Sequence, residues 1–329
     1  MRFVVVGAGA IGAYVGAALA RGGADVTLIA RGEHLRALQE RGVRVLSPRG
    51  DFEAYPPATD NWDVIADADV VFLGLKAYSL PAVADRLAEL LPPSAEVIAA
   101  QNGIPWWYFQ SHGGPLDGLV LESVDPGGLV TRAVAPGAVV GCVVYCSTEI
   151  DAPGVIRHVE GTRFSLGRPD RRLDERLRAI AAAFKQGGLK APVEEHLRNE
   201  IWLKLLGNAT FNPVSAITRA TLGELATAPS MRTMLHTAFE EIASVAERLG
   251  VTFPVSLDRR LDAGFAVGDH KTSMLQDLEH GKPLEYQCMT GAIVELAQRL
   301  EVPVPSVTAL HACVELIDLK QRERKPAVA

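Results

Sequence analysis

Residues 3–12 read Phe-Val-Val-Val-Gly-Ala-Gly-Ala-Ile-Gly, a β-branched run followed by three glycines at the spacing GxGxxG. The run predicts a buried strand that ends at Gly7. A helix-forming, alanine-rich stretch follows and closes near Arg21-Gly22-Gly23, and Asp25-Val26-Thr27-Leu28-Ile29 predicts a second strand. Together these parts form a complete strand–turn–helix–strand unit.

The glycines of this turn have physical roles in binding a dinucleotide. Gly7 permits the tight turn, Gly9 lets the backbone approach a pyrophosphate, and Gly12 lets the helix pack closely on the strand. The helix that begins near Ala10 and Ile11 offers free N–H groups and its dipole to the phosphates. These five residues are therefore predicted to bind a dinucleotide cofactor, and a purely structural glycine-rich turn is the alternative.

The end of the second strand bears on the identity of the cofactor. NAD-binding units usually place Asp or Glu there to hold the ribose 2′-OH. Here the strand ends Ile29-Ala30-Arg31-Gly32, and the first carboxylate is Glu33. The charge and planar donor fork of an arginine suit a 2′-phosphate, so this position favours NADP(H), bound by Arg31. The alternative is an exposed loop arginine.

The rest of the first half alternates strand and helix signals. Strands are predicted at 43–46, 69–75 and 96–100, with a helix over 79–91. This alternation implies a doubly wound parallel sheet of Rossmann type, whose ligands bind at the carboxyl ends of the strands. Lys76 and Asn102 follow two of the strands and are site candidates by position. A surface lysine and a turn asparagine are the alternatives.

The pattern changes near residue 194. Before it, we predict strands at 119–122, 139–145, 155–159 and 164–166 and a helix at 171–186. After it, helical spacing covers about 196–211, 213–226, 229–249, 284–300 and 306–320. The predicted fold class is therefore α/β, with a dinucleotide-binding domain over 1–193 and a second, all-α C-terminal domain over 194–329.

Lys204, Asn208 and Asn212 lie four residues apart at the start of the helical half. Each step of four advances about 40° around an α-helix, so the three side chains form one polar stripe within apolar sequence. Polar groups on a largely buried helix need partners, and this set favours a polar functional site. The alternatives are a surface lysine and an asparagine that ends the helix before Pro213.

Composition excludes several other classes of protein. The chain has 329 residues and a formal net charge of −6, which argues against nucleic acid or an anionic membrane as a partner. Apart from the glycine-containing run Phe3 to Ala20, no segment approaches the ~20 uninterrupted apolar residues that a membrane span needs, so we expect a cytoplasmic protein. The four cysteines and eight histidines lack metal-binding spacing, and no metal is expected.

Short motifs occur in a fixed order along both halves. In the first half they are Gly7 to Gly12, Arg31, Leu75-Lys76-Ala77 and Gln101-Asn102-Gly103. In the second half they are Trp202-x-Lys204-x3-Asn208-x3-Asn212-Pro213, Ser273-Met274-Leu275-Gln276-Asp277 and Glu285. Over nearly its whole length the chain resembles the ketopantoate reductase (2-dehydropantoate 2-reductase) family.

This resemblance implies a reductase that forms (R)-pantoate from 2-dehydropantoate with NADPH, in pantothenate and coenzyme A biosynthesis. It also implies catalytic roles. Lys204 would donate the proton to the alkoxide left by hydride transfer, and Asn102 would hydrogen-bond the same oxygen. Glu285 would orient the lysine and balance its charge. Taken alone, Glu285 could simply cap the helix that follows it.

Binding roles are implied as well. Ser273 would bind the substrate carboxylate, and Asn208 and Asn212 would hold the distal hydroxyl. Arg31 and Lys76 would face the 2′-phosphate of NADP(H). Taken alone, Ser273 could cap the helical segment after it.

The chain departs from the family pattern where the substrate is shaped. An aromatic cluster, Ile104 to Phe109, replaces a glycine-rich turn, and His270 and Leu222 stand where asparagines are common. One alternative is therefore a paralogous NAD(P)-dependent dehydrogenase of another branched or aromatic D-2-hydroxy acid, with Trp106 and Trp107 lining its pocket. Another is a non-catalytic NADP-binding sensor. A homodimer through the helical domain is compatible with the sequence, which does not determine the oligomeric state.

Overall fold

The computed structural model describes residues 1–323, and the chain divides into two compact units. The sheet unit comprises Met1–Gln101, Pro105–Val120 and Asp125–Leu197. The helical unit comprises Asn102–Ile104, Leu121–Val124 and the chain from Arg198 onward. The domain boundary at residues 193 and 194 stays a prediction, and residues 324–329 of the predicted second domain lie outside the described part.

Nine strands form one sheet in the sheet unit. Their bounds are β1 Arg2–Val6, β2 Asp25–Ile29, β3 Val43–Leu46, β4 Phe52–Ala54, β5 Ala58–Thr59, β6 Val70–Leu73, β7 Glu96–Ala99, β8 Val139–Ala152 and β9 Val155–Gly167. The spatial order is β4-β3-β9-β8-β7-β6-β1-β2-β5. Six neighbouring pairs are parallel, and the pairs β3–β4 and β8–β9 are antiparallel. The predicted α/β class with a mainly parallel sheet is confirmed.

The central strands are buried because they carry continuous apolar runs. Phe3 to Val6 of β1 and Val70 to Leu73 of β6 are fully shielded from solvent. Such runs are typical of parallel strands that are covered on both faces. The helices of this unit are α1 Ala10–Arg21, α2 Gly32–Arg41, α3 Ala84–Leu90, α4 Leu129–Ala133 and α5 Glu175–Gln186.

Two strand predictions in this region need correction. The separate strands predicted at 155–159 and 164–166 are one strand, β9, paired with β8 in a long hairpin that turns at Gly154. The strand predicted at 119–122 is wrong. There the backbone N–H groups of Glu122 and Ser123 donate to the Glu295 carboxylate instead of to a sheet.

Eight helices belong to the helical half within the described residues. They are α6 Leu197–Asn208, α7 Phe211–Thr218, α8 Leu222–Ala226, α9 Pro229–Arg248, α10 Leu257–Phe265, α11 Ser273–Glu279, α12 Ala292–Leu300 and α13 Pro305–Glu323. A π-helical turn over Gln287–Gly291, called the π-turn below, leads into α12. Over residues 1–323 no helix is both long and apolar enough to span a membrane.

The first predicted helix of this half breaks earlier than expected. We expected helical structure from 196 to 211, but α6 ends at Asn208 and α7 begins at Phe211. Pro213 lacks an N–H and would clash with the carbonyl of residue 209 inside a continuous helix. In α7 it lies in the first turn, where its missing N–H costs no helical bond. Asn212 therefore lies on α7, and the predicted single-helix stripe is wrong.

The helix predicted over 284–300 is also shorter. Residues 282–286, called the Glu285 segment below, are not helical, and regular α-helix begins only at Ala292. The π-turn separates the two. Such turns are rare and occur frequently at functional sites.

Candidate active site

The glycine turn after β1 has the geometry that a dinucleotide requires. Gly7 adopts a φ of +90°, and a Cβ at Gly12 would lie 2.1 Å from the Gly7 carbonyl oxygen. A Cβ at Gly9 would meet nothing within 4 Å. Gly7 and Gly12 are therefore glycines because the protein itself leaves no room. Gly9 faces open space, which suits the close approach of a ligand.

The start of α1 is available to an anion. Gly9 is the N-cap residue of the helix, and Ala10 and Ile11 begin its first turn. Among residues 1–323 no side-chain hydrogen bond caps this end of the helix. The backbone N–H groups of Gly7 and Ala8 already donate to the Ile29 carbonyl. The next N–H groups along the turn and the positive end of the helix dipole are the groups that hold phosphates in such turns.

Arg31 and Lys76 follow β2 and β6, the two strands that flank β1 in the sheet. Arg31 is the exposed N-cap of α2, just after β2. Within residues 1–323 its guanidinium has no hydrogen bond or ion pair. Lys76 is half-buried beyond the end of β6, at the start of a short 3₁₀ turn.

Lys204, Asn102 and Glu285 meet in the helical unit. The Lys204 Nζ donates to Asn102 Oδ1 at 2.7 Å, and Asn102 Nδ2 donates to Glu285 Oε2 at 3.4 Å. Glu285 is 6% exposed, whereas Asn102 and Lys204 are half-buried. The three predicted catalytic side chains thus form one hydrogen-bonded chain, a cation and a carboxylate joined by an amide.

Asn102 is positioned by the two residues that follow it. The Ile104 N–H donates to the Cys288 carbonyl in the π-turn at 2.8 Å. Between them, Gly103 adopts a φ of +79°, and a Cβ there would lie 2.1 Å from the same carbonyl oxygen. Only glycine lets this backbone approach so closely. Sequence reasoning missed Gly103 and Cys288 as part of the site, although the glycine after Asn102 was a visible signal.

The substrate-binding candidates occupy different surroundings. Asn212 is buried on α7, with Nδ2 at 4.0 Å from the Met289 sulfur of the π-turn. Asn208 ends α6 and is half-buried, and Ser273 is exposed as the first residue of α11. Within residues 1–323 the side chains of Asn208 and Ser273 make no hydrogen bond. The cap of α11 is Thr272, so the capping role considered for Ser273 is wrong.

The aromatic cluster does not line a pocket in the way we considered. Trp106 and Trp107 are 5% and 1% exposed and lie in the sheet unit. A Cβ at Gly141 on β8 would lie 2.3 Å from the Trp107 ring, so the indole packs against the sheet. The two tryptophans belong to the core of that unit.

The other two departures from the family pattern are neighbours. The Leu222 backbone N–H donates to the His270 carbonyl at 3.0 Å. Leu222 is buried and His270 is half-buried. The two positions at which this chain lacks asparagines common in the family are therefore in contact with each other in the helical unit.

None of the four cysteines forms a disulfide, and Cys313 is exposed on α13 while Cys142 and Cys288 are buried. Residues 1–323 contain no group of three or more His, Cys, Asp or Glu side chains arranged to hold a metal ion.

Comparison with known proteins covers nearly the whole chain. The family profile described as "Ketopantoate reductase PanE/ApbA" matches residues 3–171, and its C-terminal counterpart matches residues 196–318. A 2-dehydropantoate 2-reductase of Mesorhizobium japonicum is 43% identical over 322 residues, covering 98% of this chain and 99% of that protein.

Solved structures share the fold. A candidate ketopantoate reductase from Ralstonia solanacearum superposes with a TM-score of 0.91 at 36% identity, covering 98% of each chain. D-mandelate dehydrogenase, solved with NADH and anilino(oxo)acetate, has a TM-score of 0.83 at 20% identity, covering 98% of this chain and all of that one. At that identity the second likeness concerns the fold alone.

Proposed function

Because the chain belongs to the ketopantoate reductase family, a family of nicotinamide-dependent oxidoreductases, we propose that it reduces 2-dehydropantoate to (R)-pantoate with NADPH. This reaction serves pantothenate and coenzyme A biosynthesis. The observation that carries the proposal is the hydrogen-bonded chain Lys204–Asn102–Glu285, because it supplies a proton donor with its orienting partners.

The chemistry requires one hydride and one proton. The cofactor held at the glycine turn would supply the hydride to the ketone carbon, and negative charge would then develop on the ketone oxygen. Lys204 gives that oxygen its proton through Nζ. Asn102 accepts from Lys204 through Oδ1, so it orients the ammonium group. The second hydrogen on its Nδ2 would donate to the reacting oxygen. The buried Glu285 carboxylate accepts from the amide and balances the lysine charge.

Cofactor binding is assigned to the turn after β1 and to two cations. Gly7, Gly9, Ala10, Ile11 and Gly12 would hold the pyrophosphate, and the open space at Gly9 supports this role. Arg31 and Lys76 would hold the 2′-phosphate. Because the exposed Arg31 guanidinium has no carboxylate partner among residues 1–323, it is free to bind an anion, which supports NADP(H) over NAD(H).

Substrate binding is assigned to the remaining polar residues of the helical unit. Ser273 would bind the carboxylate of the 2-oxo acid, and Asn208 and Asn212 would bind its distal hydroxyl. The unused hydrogen-bonding groups of Asn208 and Ser273 support this assignment. The altered pair Leu222 and His270 marks the place where a preference for another branched or aromatic 2-oxo acid would arise.

The test is NADPH oxidation by the purified protein with 2-dehydropantoate and a panel of other 2-oxo acids. We expect 2-dehydropantoate to have the highest kcat/KM. Lys204→Ala should lower kcat by about 10²- to 10⁴-fold, the range for a lost general acid. Lys185→Ala, which removes an exposed lysine on α5, is the matched control and should retain full activity.

Each other outcome points to one rival. A preference for another 2-oxo acid would keep the chemistry and transfer the chain to the paralogous D-2-hydroxy acid dehydrogenases. Tight NADPH binding without turnover of any 2-oxo acid would contradict catalysis and support the sensor. A kcat/KM for NADH equal to that for NADPH, unchanged in Arg31→Ala, would refute the NADP(H) assignment.

The assembly and location are also part of this proposal. We place a homodimer on the exposed apolar side chains of α13, which include Leu316 and Leu319. Four cysteines without a disulfide suit the reducing conditions of the cytoplasm, where we propose that the protein acts.

A further inference from the structure

Helix α13 contacts the Glu285 segment through two side chains. Asp318 Oδ1 accepts the backbone N–H of Leu284 at 2.8 Å, and Gln321 Nε2 donates to the carbonyl of Lys282 at 2.5 Å. Both bonds join α13 to the stretch 282–284 that precedes Glu285. The helix also contacts the π-turn on the other side of Glu285, where His311 Nδ1 lies 3.0 Å from Thr290 Oγ1.

These contacts matter because local backbone bonds hold only the two ends of the Glu285 segment: the Lys282 N–H donates to the Asp277 carbonyl, and the Tyr286 carbonyl accepts from Gly291 in the π-turn. The chain there is irregular, and Pro283 lacks an N–H. The middle of the segment, next to Glu285, is held from outside by the bond from the Leu284 N–H to Asp318. Leu284 is the residue directly before Glu285, so a bond at its N–H constrains the backbone from which that carboxylate extends.

Asp318 is an unusual residue for a purely structural position. It is 0% exposed, and its second oxygen forms an ion pair with Arg322 Nη2 at 2.6 Å, one turn later on α13. Burying a carboxylate is costly unless it is paired and hydrogen-bonded. Here the charge strengthens the bond to the Leu284 N–H, because hydrogen bonds to ionised acceptors are about twice as strong as neutral ones.

We propose that Asp318 is a positioning residue for Glu285, and that through Glu285 it sets the geometry of the Asn102–Lys204 proton donor. This inference rests on the proposed reductase function. Asp318 is fully buried and is not among the residues assigned to substrate or cofactor, so its effect should be on kcat rather than on cofactor binding. Misplacement of a catalytic group by about 1 Å can cost about 10²-fold in rate.

The control is a second buried carboxylate that holds the same helix at its other end. Glu241 on α9 accepts the N–H groups of Ser306 and Val307, each at 3.0 Å, at the start of α13. Glu241→Ala therefore loosens α13 without removing a bond to the Glu285 segment. It should reproduce any general effect of a loosened helix.

We expect Asp318→Ala to lower kcat by about ten- to hundredfold while the NADPH dissociation constant stays within about twofold. Asp318→Asn keeps an oxygen that can accept the Leu284 N–H, so it should recover part of the rate, to within about tenfold of the wild type. Glu241→Ala should retain kcat within about twofold after correction for the folded fraction. Hydrogen exchange in the peptide containing 282–286 should accelerate in the Asp318 variants alone.

The outcomes separate this inference from the proposed function. If the wild type reduces no 2-oxo acid, the function fails, and exchange in 282–286 still tests whether Asp318 holds the segment. With an active wild type, unchanged kcat in Asp318→Ala, or an equal fall in Glu241→Ala, overturns the positioning role. Should Asp318→Ala not fold, an unchanged kcat in Asp318→Asn overturns it, and a several-fold fall with accelerated exchange supports it.

Discussion

At the scale of single residues, Gly103 is a position in the site where the backbone leaves no room for a side chain. A side chain there would combine a left-handed φ of +79° with a contact of 2.1 Å to the Cys288 carbonyl. We expect Gly103→Ala to displace Asn102 and lower kcat by about ten- to hundredfold. The free energy of unfolding should fall by more than the roughly 1–2 kcal/mol that a left-handed conformation costs an L residue. Steady-state kinetics and urea titration measure the two effects.

The variant Gly113→Ala separates the effect of the left-handed backbone conformation from the effect of the close contact with Cys288. Gly113 has a similar φ of +80°, but a Cβ there meets nothing within 4 Å. Gly113→Ala should therefore lose only the conformational part and keep full activity. Equal effects of the two substitutions on stability and kcat would show that the contact with Cys288 is unimportant.

The sequence predicted the residues of the site better than their arrangement. Lys204, Asn102 and Glu285 were identified by motif order, and the structure brings them into one hydrogen-bonded chain. Their assigned roles stay predictions. Gly103 was visible in the sequence as the glycine after Asn102, but its partner, the Cys288 carbonyl in the π-turn, could not be predicted because backbone groups carry no sequence signal.

At the scale of elements, the turn between β1 and α1 contains one glycine that folding requires, Gly12, and one that we assign to cofactor binding, Gly9. Gly9→Ala adds a methyl group where the protein leaves space, so the melting temperature should stay near that of the wild type. The NADPH dissociation constant should rise by about tenfold or more, because the methyl group would occupy the approach of the pyrophosphate. Gly12→Ala should lower stability instead, because its Cβ would lie 2.1 Å from the Gly7 carbonyl oxygen. A Gly9→Ala protein that binds NADPH normally would contradict the assignment of this turn.

Helix α12 provides a pH-dependent element. The pKa of Glu295 is shifted by burial, which raises it, and by hydrogen bonds from Ser123 and Glu122, which lower it, with a net result below the ordinary value. The folded state therefore favours the carboxylate. Its stabilisation should be complete above the ordinary pKa of about 4.3 and be lost as pH falls through the lower folded-state pKa.

The variant Glu295→Gln tests this dependence. At pH 7 it should be less stable than the wild type in urea titration, because an amide accepts these N–H groups less strongly. The difference should shrink as pH is lowered through the range below about 4.3. A difference that stays constant down to about pH 2 would show that the carboxylate charge is not responsible.

Elements were predicted well where one local rule dominates. β2 and β3 have the predicted bounds because short β-branched runs between breakers leave little choice. The end of α6 was missed because Pro213 was interpreted as a helix end, whereas it lies in the first turn of the next helix. The run at 119–122 has strand-like composition, but the N–H groups of Glu122 and of the following Ser123 bond to a carboxylate from α12, which only tertiary structure reveals.

At the scale of the whole molecule, the assembly state can be tested on α13. Leu316 and Leu319 are 53% and 48% exposed and lie three residues apart on this helix. We expect sedimentation at micromolar concentration to show a dimer, and the double substitution of both leucines by glutamate to give a monomer. Val267→Glu alters another exposed apolar residue of the helical unit and should leave the dimer intact. A monomeric wild type would exclude the homodimer.

Chain order does not coincide with spatial grouping in this molecule. Two short segments from the first half, Asn102–Ile104 and Leu121–Val124, group with the helices that follow Arg198. A boundary inferred from the change in periodicity cannot detect such segments, because they are too short to have a period. The overall class was predictable because nine strands and their helices repeat one pattern many times.

The dependence of the Glu285 segment on Asp318 has a consequence for biosynthesis. On a ribosome, Asn102, Lys204 and Glu285 all emerge before Asp318, since it lies downstream of each of them. A nascent chain can therefore carry every reacting group while the bond from Leu284 to α13 is still missing. Catalytic competence would then arrive late in translation, and a premature stop codon between residues 285 and 318 would yield a product with a complete catalytic set but little turnover.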